Sequence, residues 1–298
     1  MDKKTQKLMA ENLLEASRDK VNRNIKDSVF CDLFGKPEYL IQLYRAIHPE
    51  DDETQEEDLT IVTLSRIMVR EMYNDLGFLA GNRLVVLVEA QSTWSENIVV
   101  RFLIYLGETY RRYITRNRLS VYSSKRLELP ESELYLIFTG ERQERPDTIS
   151  LKKSIFQTDE SCVEVEARVI YDSRKGDIIN QFITFSKVFD SQRRLHPEDP
   201  RQAVQETIRI CKSQDVLKDY LEQEEAATLM FTIADQEEVF QLALEQERKE
   251  GREEGLEEGI LQGLEEGRTE RNQIAAERDQ AYALIEELKK QLAEARRS

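Results

Sequence analysis

The sequence predicts an α/β protein with a mixed sheet flanked by helices, then a helical C-terminal region and a coiled-coil-like tail. Three observations carry that prediction. Leu84-Val85-Val86-Leu87-Val88 and Leu134-Tyr135-Leu136-Ile137-Phe138 are unbroken apolar runs of strand length, the pattern of strands buried on both faces. Segments with helical periodicity are interleaved with them, as an α/β sheet requires. Beyond residue 248 the composition changes to a glutamate-rich run with glycine at every fourth position.

Taken in order, residues 1–22 are a polar leader, 23–175 the α/β core, 176–247 the helical region and 248–298 the tail. In the stretch from Asp27 to Gly35, Phe30, Leu33 and Phe34 stand at i, i+3 and i+4, which predicts an amphipathic helix. Asp27 is placed to cap it and Gly35 to end it. Leu40, Leu43, Tyr44 and Ile47 make a second helical stripe after Pro37. The acidic run from Pro49 to Asp58 reads as an exposed loop. Strands are expected from Leu59 to Leu64, at Asp75 and through Glu89, the last two folded about Gly81. Asn97 to Arg116 is helical through Val100, Leu103, Ile104 and Gly107. Val163 to Tyr171 alternates as a peripheral strand does, and Asp177 to Glu247 is helical with breaks around Pro197 and Pro200.

Composition narrows the function classes. No run approaches the roughly 20 apolar residues of a membrane span, and the N-terminus has no apolar signal core, so a cytoplasmic protein is expected. Cys31, Cys162 and Cys211 are far apart and odd in number, which suits free thiols in a reducing compartment. His48 and His196 stand alone in sequence and are expected at the surface. The net charge of -15 argues against nucleic acid as a partner, but the excess acid lies in residues 50–58 and from Glu222 onward. Arg111, Arg112, Arg116, Arg118, Lys125 and Arg126 follow the core strand and suit non-specific phosphate contacts.

The candidate chemistry sits on the hairpin. Glu89 and Gln91 end a buried strand, two residues apart and so on one face of a regular strand, with Asp75 on the strand before. Buried carboxylates need a compensating charge, and hard oxygen donors suit Mg²⁺ or Mn²⁺. A two-residue turn at Gly81-Asn82 would set Asp75 opposite Val88 and send Glu89 to the other face. The metal reading therefore requires an odd loop or a bulge between them. Without such an arrangement, acidic residues at strand ends are simply solvated. Arg101 and Tyr105, one helical turn apart, could reach a scissile phosphate or support Glu89, or form a surface contact with a buried ring. Trp94 suits packing or base stacking equally.

The segments DSVFCDLFG at 27–35, NDLGF at 74–78, VVLVEAQS at 85–92 and the Arg101/Tyr105 helix resemble the recombination-promoting nuclease (Rpn) and transposase-like branch of the PD-(D/E)XK nucleases. The tail of glycines every four residues is also similar to that branch. The resemblance covers most of the chain, with the motifs in its first half. It implies a restriction-endonuclease-like core and a metal-dependent DNA endonuclease; no helix-turn-helix or zinc module is evident in the sequence, so weak sequence preference is expected. Asp75 and Glu89 would be the metal ligands, and Gln91 would stand where the superfamily has lysine. An acidic residue on the first helix is also implied, with Asp27 the candidate and Glu38 the runner-up. Cys31 stands where the branch has lysine. Arg101, Arg111, Arg112 and Arg116 are the candidate DNA contacts.

Other readings stand beside this one. The chain could keep a nuclease fold without catalysis and act through its helical C-terminal half, or serve as a coiled-coil assembly factor. In the tail, Gly251, Gly255, Gly259, Gly263 and Gly267 weaken an isolated helix by about 1 kcal/mol each. Ile274, Ala281, Leu288 and Ala295 repeat at seven, with Leu284 and Leu292 beside them, a short heptad signal. A solvated, partly helical tail and a homo-oligomerisation element both fit.

Overall fold

The computed structural model describes residues 25–62 and 76–295, the side chains of 86–90, 240, 241, 244, 286–288 and 290–295 excepted. Its chain divides into two compact units, Met1–Glu238 and Val239–Ser298. Residues 176–238 therefore belong to the same unit as the sheet, and the tail unit starts nine residues before the expected boundary at 248.

The sequence places helices α1 (residues 25–34) and α2 (Pro37–Ile47) first. Phe30, Leu33, Phe34, Leu43 and Tyr44 are buried as their spacing requires. Gly35 closes α1 because an added Cβ would sit 2.6 Å from the Cys31 carbonyl oxygen. Six strands then make one open mixed sheet in the order β1-β2-β3-β4-β6-β5. They are β1 (Leu59–Ile61), β2 (Leu76–Ala80), β3 (Arg83–Gln91), β4 (Glu131–Phe138), β5 (Thr148–Ser150) and β6 (Glu166–Ile170). Strands β3, β4 and β6 are parallel, and the antiparallel strands β2 with β1, and β5, flank them. Strand β6 is thus interior, where alternation had suggested a peripheral strand. The three-residue β5 is too short to show in the sequence.

Helix α3 (Ile98–Arg116) covers one face of the sheet, packing Phe102 and Tyr105 with Leu84, Leu134, Leu136 and Phe138. Its buried stripe is Ile98, Phe102, Tyr105 and Thr109, whereas Ile104 is 62% exposed and Leu103 38%. The expected stripe through Leu103 and Ile104 therefore faces outward, because crossover packing selects the neighbouring face. On the other face, α1, α2, α4 (Ile178–Leu195), α5 (Pro200–Ser213), α6 (Lys218–Leu221) and the start of α7 (Glu224–Ala295) pack with Val85, Tyr135 and Ile137. Asp177 and Asp199 cap α4 and α5 by accepting hydrogen bonds from the backbone of Asn180 and Gln202, at 2.9 and 2.8 Å. Helix α7 continues through all five tail glycines.

The hairpin turn has two residues. Ala80 pairs with Arg83, and Gly81 alone takes positive φ (57°), the type II′ arrangement. The odd loop is not present, and the β2–β3 pairs from Leu76–Leu87 to Ala80–Arg83 show no bulge, so within the described residues the hairpin does not meet the requirement set for Asp75 and Glu89. The irregularity lies instead in β3, where Val88 pairs with Leu136 and Gln91 with Phe138, three steps on β3 against two on β4. That is a β-bulge at residues 89–90.

Candidate functional site

Parallel strands β3 and β4 bring their carboxyl ends together, and the loops that follow meet there. The bulge interrupts the regular alternation of β3 just before Gln91. It returns Gln91 to the level of Phe138, on the side covered by α3. Gln91 is 9% exposed, and its backbone carbonyl accepts a hydrogen bond from the Thr139 backbone N–H at 3.0 Å. Gly140 follows because a Cβ there would overlap the Ser92 carbonyl oxygen and come within 2.8 Å of the Phe138 ring. Asp75 and the side chain of Glu89 lie outside the described residues, as do residues 63–75 generally.

Residues not singled out by their spacing complete this end of the sheet. The Arg142 guanidinium lies 3.7 Å from the Trp94 ring centroid, within cation–π range. Trp94 packs edge-on against Phe138 at 5.6 Å, and Phe138 against Tyr171 at 5.7 Å. Arg145 lies over the Tyr171 ring at 5.6 Å. The buried Arg142 Nη1 and Thr139 Oγ1 make no hydrogen bond. The result is an alternation of cationic and aromatic groups beside Gln91. Only the Trp94 position was visible in sequence; Arg142 and Arg145 sit in a polar loop with no periodicity to mark them.

The remaining expected residues are distributed along the fold. Asp27 is 5% exposed and lies inside α1, since residues 25 and 26 are already helical, so it is not the helix cap. Its neighbour Lys26, 1% exposed, is held by Asp190 at 2.8 and 3.0 Å. Glu38 is exposed in the first turn of α2, and Cys31 is half-buried. Arg101 Nε donates to the Tyr105 hydroxyl at 3.3 Å, so the i, i+4 pair forms as spaced.

Arg111, Arg112 and Arg116 belong to the last turns of α3, which run toward the start of β4. Arg112 and Arg116 line a cavity of about 590 Å³ with Thr60, Leu79 and Leu84. Leu84 is seven residues from Gln91 along β3, roughly 23 Å. Arg111 and Arg112 are also engaged by Glu108, at 2.6 to 2.9 Å. Those bonds, Arg111 first, hold the Glu108 carboxyl down at about 2. Only Arg101 of the four arginines belongs to the half of α3 that follows β3.

His48 corrects its expectation. It is 4% exposed at the end of α2, with Nδ1 3.1 Å from Glu50 and Nε2 3.3 Å from Glu133. Glu133 also accepts from the Tyr135 hydroxyl at 2.6 Å and lies 3.5 Å from Arg83 Nε. This network ties α2 to the starts of β3 and β4, the end of the sheet away from Gln91. Strand pairing creates it from residues far apart in sequence, so isolated spacing could not show it. His196 is half-buried.

Among the described residues no group of three His, Cys, Asp or Glu is placed to hold a metal, and no helix is long and apolar enough to cross a membrane. The donor chemistry of Asp75 and Glu89, two carboxylates, suits a hard divalent cation. Compared with protein-family models, with curated proteins and with solved structures, the chain shows no match.

Proposed function

We propose that the chain is a metal-dependent DNA endonuclease of the PD-(D/E)XK type, related to transposases, with its site at the carboxyl ends of β3 and β4. The observation that carries the reading is the β-bulge at residues 89–90, which re-aims the end of a central parallel strand where the motif lies. Ligands of open α/β sheets bind at this end of the strands. Asp75 and Glu89 would hold Mg²⁺ or Mn²⁺, which when bound polarises a phosphoryl oxygen and acidifies a bound water. Gln91 orients a water through its amide but neither gives nor takes a proton near neutral pH. Trp94 offers a face for an unpaired base, and Arg142, Arg145 and Arg101 supply cations for phosphates. Such contacts read the backbone, so weak sequence preference follows. The second reading, a non-catalytic protein of the same fold, is favoured by the neutral Gln91 where the superfamily has a charged residue.

Incubation of the full chain with supercoiled plasmid and Mg²⁺ separates the two. Nicking is expected for the native chain and its loss for Asp75→Ala and for Glu89→Ala. Equal nicking by all three proteins, or none by any, refutes the endonuclease.

A further inference from the structure

Among its described residues the tail unit is a helix whose large apolar side chains are exposed. Ile260, Leu264, Ile274 and Ile285 are 55, 61, 59 and 46% exposed. They fall into one heptad register. Its d positions are Ile260, Gly267, Ile274, Ala281, Leu288 and Ala295. Its a positions are Leu264, Arg271, Arg278, Ile285 and Leu292. The register runs from 260 to 295, about five heptads, enough for a coiled coil.

Two charges occupy this seam, and they identify the occupant. Arg271 and Arg278 hold consecutive a positions, and each is preceded at g by a glutamate, Glu270 and Glu277. In a parallel, in-register pair a g residue lies beside the next a residue of the other helix. Each arginine then meets a glutamate of the second copy, two pairs from each helix and so four in a dimer. The same layers set each arginine across from its own counterpart, a repulsion that the g glutamates offset. An antiparallel pair sets a against d beside e, here Arg268, Ala275 and Tyr282, and offers the arginines no acid. In the single helix Arg278 turns to its neighbour Asp279, at 2.8 and 3.1 Å, an exposed contact that is readily exchanged. Glycine and alanine at d let the two backbones approach closely in the middle of the seam.

We propose that residues 260–295 form a parallel two-stranded coiled coil with a second copy of this chain, held in register by Glu270–Arg271 and Glu277–Arg278 pairs between the copies. The pairing does not depend on the endonuclease reading.

Sedimentation equilibrium of the full chain at micromolar concentration tests it, with a mass of twice 34.9 kDa expected. Ile274→Asp with Ile285→Asp should give monomers whose near-UV circular dichroism is unchanged. Arg271→Glu with Arg278→Glu, and Glu270→Arg with Glu277→Arg, should each be monomeric alone, and an equimolar mixture of the two should recover the dimer. A monomeric native chain, a mass of three or four chains, or a dimer that survives the two aspartates overturns the proposal. So does a mixture that stays monomeric, which removes the parallel register.

Discussion

Removal of the Glu237 carboxylate tests how the helical region is locked to itself. Arg193, in the last turn of α4, and Glu237, in α7, form an ion pair at 2.6 Å with side-chain exposures of 4 and 1%. The Arg193 guanidinium also donates to the carbonyls of His196 at 2.8 Å and Pro197 at 3.3 Å, closing the end of α4. Water does not reach this pair, so the Coulombic attraction and the desolvation cost are both large. Glu237→Ala leaves the guanidinium buried without its carboxylate, and breaking a pair in that way costs about 3–5 kcal/mol. For a domain of this size the melting temperature should fall by roughly 6–20 °C. Arg193→Met with Glu237→Leu removes both charges and loses the two backbone bonds, at about 1 kcal/mol each. The double variant should therefore cost roughly 2 kcal/mol, less than the single one. Urea unfolding followed by circular dichroism gives both numbers. A single variant within about 1 kcal/mol of the native chain, or a double variant less stable than the single, refutes the reasoning.

Three further outcomes follow from the packing. Burial pushes the Cys211 thiol up to about 12 while Cys162 is exposed, so a thiol reagent at pH 8 should label Cys162 fast and Cys211 only on unfolding, read by mass spectrometry. Arg111 and Arg112 hold the Glu108 carboxyl down at about 2, so its contribution is complete above its ordinary value of 4.5 and is lost as pH falls toward 2. Glu108→Gln should therefore lower the urea midpoint slightly at pH 7, where an exposed pair contributes little, and leave it unchanged near pH 2, so that its pH dependence over that interval is flatter. Gly140→Ala should cost about 1–3 kcal/mol or more, since its Cβ overlaps the backbone at Ser92, and nicking should fall further than stability as the loop beside Gln91 shifts. Nicking retained in a stable Gly140→Ala would place the site elsewhere.

Local rules made much of the molecule legible. The apolar runs at 84–88 and 134–138 are strands because five consecutive large apolar residues are stable only where both faces are covered. The Phe30-Leu33-Phe34 stripe is buried because its spacing matches the helix period. Arg101 meets Tyr105 because positions four apart on a helix are neighbours. Those relations act within one element, and one element's sequence contains them.

What acts between elements was not legible. The stripe of α3 was assigned to the wrong side because Leu103 and Ile104 are as apolar as Phe102 and Tyr105, and only docking on the sheet distinguishes them. His48 looked solitary because Glu133 reaches it through a strand more than eighty residues away. The bulge at 89–90 depends on how β3 matches β4, so the regular alternation within β3 could not show that Gln91 comes level with Phe138. The sequence by itself determined the mixed α/β class, the hairpin at Gly81 and the motif at the end of β3, since these rest on local periodicity and turn chemistry. Only the tertiary structure decided that Gln91 comes level with Phe138, on which Trp94 packs, at one end of the sheet, and that Arg112 and Arg116 stand toward the other. The physical reason is that strand register and helix docking are set by long-range packing, which no local pattern encodes.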